Sequence, residues 1–145
     1  MRTYQLYLIE DEFAAHYFGR ERMFFQLFHE FESSSGEFRS ILAKQIQFIT
    51  KPIHAFKLHQ ELSRQLYRSK GFLVEDGEYH LKLAKNSRAK LQILDTVLVL
   101  EAIGSYEAET VFFEILRKVE ASFLAIDLKS QRYGWLKPIK ERKLV

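Results

Sequence analysis

The chain contains no cysteine. Disulfides, thiolate nucleophiles and thiolate metal ligands are therefore excluded, and the composition suits a reducing cytoplasm. Proline is scarce, with two residues in 145. The glycines form no phosphate-binding loop: only Gly71 and Gly77 stand close, and they flank a strand-like segment. No run of about 18 apolar residues is present, so no transmembrane helix is expected. The N-terminus enters a strand pattern at once, without an apolar leader or a small-residue cleavage site, and no signal peptide is expected. A strong charge of one sign is also missing. Lys and Arg total 22 against 19 Asp and Glu, a formal net charge of +3. Most acids and bases alternate, whereas a nucleic-acid-binding domain usually gathers its bases into one patch. The exception is C-terminal, where Lys129, Arg132, Lys137, Lys140, Arg142 and Lys143 face the lone acid Glu141. A solvated tail is the plain reading of that stretch, and a phosphate-binding tail is the alternative.

Aromatic surface, by contrast, is crowded into the first forty residues. Phe13, Tyr17, Phe18, Phe24, Phe25, Phe28 and Phe31 fall within one charged segment. At about 100° per residue, Phe13, Tyr17, Phe24, Phe28 and Phe31 share one helical stripe, while Phe18 and Phe25 point well away from it. One small core cannot absorb them all. Some of this surface is either covered by other elements or offered to a partner.

Coarse secondary structure follows from periodicity. Thr3–Ile9 alternates as a strand with apolar residues on both sides, which predicts cover on both faces. A helix begins near Asp11 or Glu12, whose acids suit the positive end of its dipole, and Gly19 weakens it locally. Ser33–Gly36 is a loop. Helices are expected over Glu37–Thr50 and, beyond Pro52, from Ile53 to about Arg68, with Gly71 as a stop. Asp76-Gly77 marks a hairpin, and Leu91, Ile93 and Val97–Ile103 read as a further strand pair. Ser105 is the expected N-cap of a helix over Tyr106–Glu120. Phe123–Leu128 is a last strand, and Lys129–Val145 is read as an irregular tail. Trp135 is expected to seal one end of the core, with Gly134 supplying a backbone turn. The fold class is α+β, a single domain over 1–145. Its expected form is a two-layer α/β sandwich with helices packed on one face of a mainly antiparallel sheet.

No catalytic constellation emerges. His54 and His59 are five apart, not at the three- or four-residue spacing of a metal pair, and His16, His29 and His80 are isolated. The acids at Glu10–Glu12, Glu107 and Glu109 are explained by helix starts. A helix-turn-helix is conceivable over Glu37–Arg68, whose second helix carries Lys57, His59, Gln60, Arg64 and Gln65, but a solvated helix face has the same composition.

Longer blocks carry a family resemblance. They are Glu12-Phe13-Ala14 with His16–Glu21, Lys44–Thr50 with Pro52-Ile53, Gly104–Thr110 with Phe112–Glu114 and Leu116–Val119, and Arg132–Leu136 with Pro138 and Lys140–Arg142. Together they resemble the sporulation inhibitor of replication family, SirA, of spore-forming Gram-positive bacteria. The match runs end to end and is loose only over residues 31–41 and 69–95. The resemblance implies a small cytoplasmic protein that binds domain I of the replication initiator DnaA and hinders its action at the origin. It implies no enzymatic activity, no cofactor, no small-molecule substrate, no membrane and no direct nucleic-acid binding. The alternative from another class is a DNA-binding regulator using the basic tail.

The resemblance also implies a partner-binding surface. The matching positions are Phe13, Ala14 and Tyr17 with Gln45, Phe48 and Ile49. Family members commonly carry tyrosine where this chain has Phe48, so the apolar body is kept and the hydroxyl is lost. The residues themselves leave two readings open. On the stripe alone, Phe13 and Tyr17 are core beside Phe24 and Phe28. A break at Gly19 would instead rotate the first turns, exposing Phe13 and Tyr17 while the other two stay buried. Gln45, Phe48 and Ile49 share a helix face that is either core or contact.

Overall fold

A computed structural model describes residues 1–84 and 86–137. Its architecture grows from the first strand, β1 (Arg2–Leu8). Tyr4, Leu6 and Leu8 point to one side and Tyr7 to the other, and all four are buried. A strand buried on both faces belongs in the middle of a sheet. The remaining strands are β2 (Phe72–Glu75), β3 (Glu78–Leu83), β4 (Ser87–Ile93), β5 (Leu98–Ile103), β6 (Phe123–Asp127) and β7 (Arg132–Trp135). They form one sheet in the order β2-β3-β4-β5-β1-β6-β7, with every neighbouring pair antiparallel.

The helices are α1 (Asp11–His16), α2 (Arg22–Ser33), α3 (Gly36–Ile49), α4 (Ala55–Leu66) and α5 (Glu107–Val119). The α+β reading with a mainly antiparallel sheet holds. The helices, however, use both faces. Leu58, Leu62 and Leu66 of α4 and Phe112, Ile115 and Leu116 of α5 pack on Tyr4, Leu6, Leu91, Leu98 and Leu100. Ala14, Phe24 and Phe28 from α1 and α2 pack on Tyr7, Ile9, Leu124 and Ile126. Tyr7 stacks on Phe28 with ring centroids 4.0 Å apart. Burial pushes its hydroxyl up to about 12. The two-sided strand predicted both covers. What the pattern hid is that α1–α3 sit opposite α4 and α5.

This placement removes the helix-turn-helix reading. Ile46 and Ile49 of α3 join one core cluster, and Leu58 of α4 joins the other. Two helices on opposite sides of a sheet cannot present a joint DNA-reading unit.

Two further expectations are corrected. Ser105 does not cap α5. The cap comes from β4: the Ser87 hydroxyl accepts the Ala108 amide at 2.9 Å and donates to the Ser105 carbonyl at 2.9 Å. The tail is not irregular throughout, because Arg132–Trp135 pairs with β6 as β7. The β6–β7 turn is held by Asp127, which accepts the Ser130 amide at 3.1 Å and the Arg132 guanidinium at 2.9 Å. Gly134 lies inside β7 opposite Ala125, not in the turn. Pro138, Lys140, Arg142 and Lys143 lie outside the described residues.

Among the described residues the buried charged groups, Glu109 and Asp127, are both paired, as desolvation requires. Glu109 is buried on α5 and accepts the Arg2 guanidinium and the Tyr4 hydroxyl. Burial, with this carboxylate beside it, pushes the Tyr4 hydroxyl up to about 12. The triad fastens α5 to the central strand.

Candidate functional site

The α1–α2 joint is where the aromatic segment resolves. α1 ends after six residues, and the Arg20 amide closes a turn on the Tyr17 carbonyl at 2.8 Å. Gly19 has φ +81°. A side chain at Gly19 would have open space around it, so the backbone conformation alone favours glycine there. The break divides the stripe. Phe24 and Phe28 of α2 are buried, whereas Phe13 and Tyr17 are only half-buried.

α1 and the end of α3 are held side by side through the end of β1. The Glu10 amide donates to the Ile49 carbonyl at 2.8 Å, and the Lys51 amide donates to the Leu8 carbonyl at 2.7 Å. Ile9 bridges Thr50, and the Ser122 hydroxyl donates to the Ile9 carbonyl at 2.6 Å. Lys51 pairs with Asp11 at 3.2 Å. These bonds fix the entry of α1 relative to the exit of α3.

Between the two helices and α2 lies an open groove of about 600 Å³. Phe13, Tyr17, Gln45, Phe48 and Ile49 all line it. Phe48 is 72% exposed, and its ring meets Phe13 at 5.3 Å with an interplanar angle of 60°. Tyr17 stands edge-on to Phe24 at 5.5 Å, with the Arg20 guanidinium 5.1 Å from its ring centre. Ala14 is different. It is 2% exposed and packed beneath the groove, so its methyl sets how closely α1 lies on the sheet and presents no contact surface.

Met23, Leu27 and Lys44 also line the groove, and sequence reasoning missed them. Met23 and Leu27 are one helical turn apart on α2, an i,i+4 signal that was available. Only the packing of α2 on α3 shows that this face adjoins Phe48. Apolar residues continue on α3 at Phe38 and Ile41, both about half exposed.

The chemistry on offer is contact chemistry. The lining supplies aromatic and aliphatic surface, with the Tyr17 hydroxyl, the Gln45 amide and the Lys44 ammonium at hand for polar contacts. No cluster of three metal-ligating side chains occurs among the described residues. No helix among them is long and apolar enough to cross a membrane. The one carboxyl at the joint with a shifted titration is Glu21. Burial works against ionisation, but hydrogen bonds from Trp135, its own amide and Gly19 hold it below its ordinary value.

Comparison with known proteins agrees with the resemblance. A family model described as "Sporulation inhibitor of replication protein SirA" matches residues 2–140. A protein of that name from Bacillus subtilis (strain 168) is 44% identical over 147 residues, spanning 99% of each chain. Both matches cover the groove and the sheet beneath it, and the chain belongs to the sporulation inhibitor of replication protein SirA family.

Proposed function

We propose that this chain inhibits initiation of DNA replication during sporulation by docking domain I of the replication initiator DnaA in the groove between α1 and α3. The observation that carries this reading is the convergence of Phe13, Tyr17, Gln45, Phe48 and Ile49 on one apolar groove. Those positions come from two separate blocks of the family resemblance, some thirty residues apart in sequence. Aromatic anchors beside a shallow apolar floor suit a partner helix, because they bury large area at low entropic cost. The inhibitor acts by occupancy, without catalysis or a cofactor, as one initiator-binding domain over 1–145 in the cytoplasm.

The test is a titration of purified protein with isolated initiator domain I at low and high salt. An apolar groove predicts a complex that survives raised salt. A regulator using the basic tail would instead bind DNA with an affinity that falls steeply as salt rises. Failure of domain I to bind at any salt concentration removes the reading.

A further inference from the structure

Neither α1 nor α2 has a side-chain cap on its own N-terminus. The local sequence therefore leaves the angle between them to other contacts. One carboxylate spans the joint. Glu21 Oε1 accepts the Gly19 amide at 3.1 Å and the Trp135 indole N–H at 3.1 Å. The first bond holds the turn that carries Tyr17. The second reaches across to β7, an element remote in sequence and anchored in the sheet. An aromatic relay joins the same points: Trp135 stands edge-on to Phe24 at 6.0 Å, and Phe24 stands edge-on to Tyr17 at 5.5 Å. Phe24 and Tyr17 both line the groove.

We propose that Glu21 is the positioning residue of the groove: its carboxylate clamps the Tyr17–Arg20 turn to Trp135 and so sets where Tyr17 and Phe13 stand against α3. The proposal rests on the groove being the initiator-binding surface. It differs from the ordinary role of an acid at a helix start, which acts through charge on the helix dipole. A clamp needs an acceptor oxygen at that point. A dipole partner needs the negative charge.

That difference selects the variants. Glu21→Gln keeps an acceptor oxygen and loses the charge, and Glu21→Ala loses both. Trp135→Phe keeps an aromatic ring against Phe24 and removes the indole donor, which provides an independent cut of the same clamp. Trp135 is the single tryptophan of the chain, so its indole N–H gives one unambiguous NMR resonance.

In Glu21→Ala the indole resonance should move upfield and the Tyr17 and Arg20 amides should exchange faster. Affinity for domain I should fall about tenfold, the scale of one lost hydrogen bond to a charged group. Trp135→Phe should lose a similar factor, and combining it with Glu21→Ala should add little, because both cut one interaction. Glu21→Gln should stay within about threefold of the parent, since the acceptor remains. The clamp also has an acid signature. Its carboxyl titrates below its ordinary value, so the parent indole signal should shift only as the pH falls below that value, when the acceptor loses its charge but keeps its oxygen. In Glu21→Gln that titration should be absent.

Three results overturn the proposal. One is Glu21→Ala with the indole resonance and turn exchange unchanged. Another is both changed while domain I binds as before. The third is Glu21→Gln failing as badly as Glu21→Ala, which assigns the residue to the helix dipole. If the parent itself does not bind domain I, the functional reading falls. The clamp is then judged by turn exchange and the indole signal alone.

Discussion

An aspartate at Phe48 separates an interface residue from a core residue in one experiment. The Phe48 ring is 72% exposed, and its aromatic contact is Phe13 at 5.3 Å. Losing an edge-on aromatic pair costs about 1 kcal/mol. Aspartate is the poorer helix former, and it would sit in the last turn of α3, where the dipole disfavours an anion; together these add about 1 kcal/mol. A destabilisation of about 2 kcal/mol lowers the midpoint of a chain this size by about 4–8 °C. Binding should respond far more. A carboxylate pressed without a partner against an apolar surface costs several kcal/mol, so affinity for domain I should drop by about a hundredfold or more. Thermal unfolding by circular dichroism and titration calorimetry with domain I read the two effects separately. A midpoint lowered by more than about 15 °C would place Phe48 in the core. Binding within about threefold of the parent would mean that the groove is not the contact surface.

Truncation of the two half-buried aromatics of the groove, Phe13→Ala and Tyr17→Ala, should each weaken binding to domain I by about 2 kcal/mol in calorimetry while the fold survives. Gly104→Ala should destabilise the protein by about 3 kcal/mol in urea unfolding. Gly104 has φ +85°, and an added Cβ would lie 1.5 Å from the Asn86 carbonyl oxygen. Asp127 should give stability a dependence on acid pH. Burial opposes its ionisation, but the Arg132 and Ser130 bonds hold its carboxyl below the ordinary value. A depressed folded-state value means that its contribution is present above the unfolded value, about 3.9, and is lost as pH falls through the folded one. Asp127→Asn should flatten that acid limb in unfolding measured across pH.

Local signals account for much of the fold. Alternation in Thr3–Ile9 revealed a strand covered on both faces, and Asp76-Gly77 marked the hairpin that joins Glu75 to Glu78. Gly19 marked the joint that parts Phe13 and Tyr17 from Phe24 and Phe28. What escaped was long-range. The cap of α5 is Ser87, 21 residues from the amide it accepts, so the nearer Ser105 drew the assignment. β7 is four residues long and lies in a stretch dominated by its charge, and only pairing with β6 defines it. For the groove, the family resemblance named five lining residues. It could not show that the sixth, Ala14, faces inward, because a small residue on a short helix carries no orientation signal. Met23 and Leu27 enter only through the packing of α2 beside α3, whereas Lys44 stands one helical turn before Phe48 on α3 itself.

Hydrogen–deuterium exchange of the protein with and without saturating initiator domain I tests the central claim most directly. The account predicts slower exchange in α1, in the Tyr17–Arg20 turn and in the last two turns of α3, with β3, β4 and β5 unchanged. Protection confined to those three strands or to the C-terminal residues, or no protection anywhere, would contradict it.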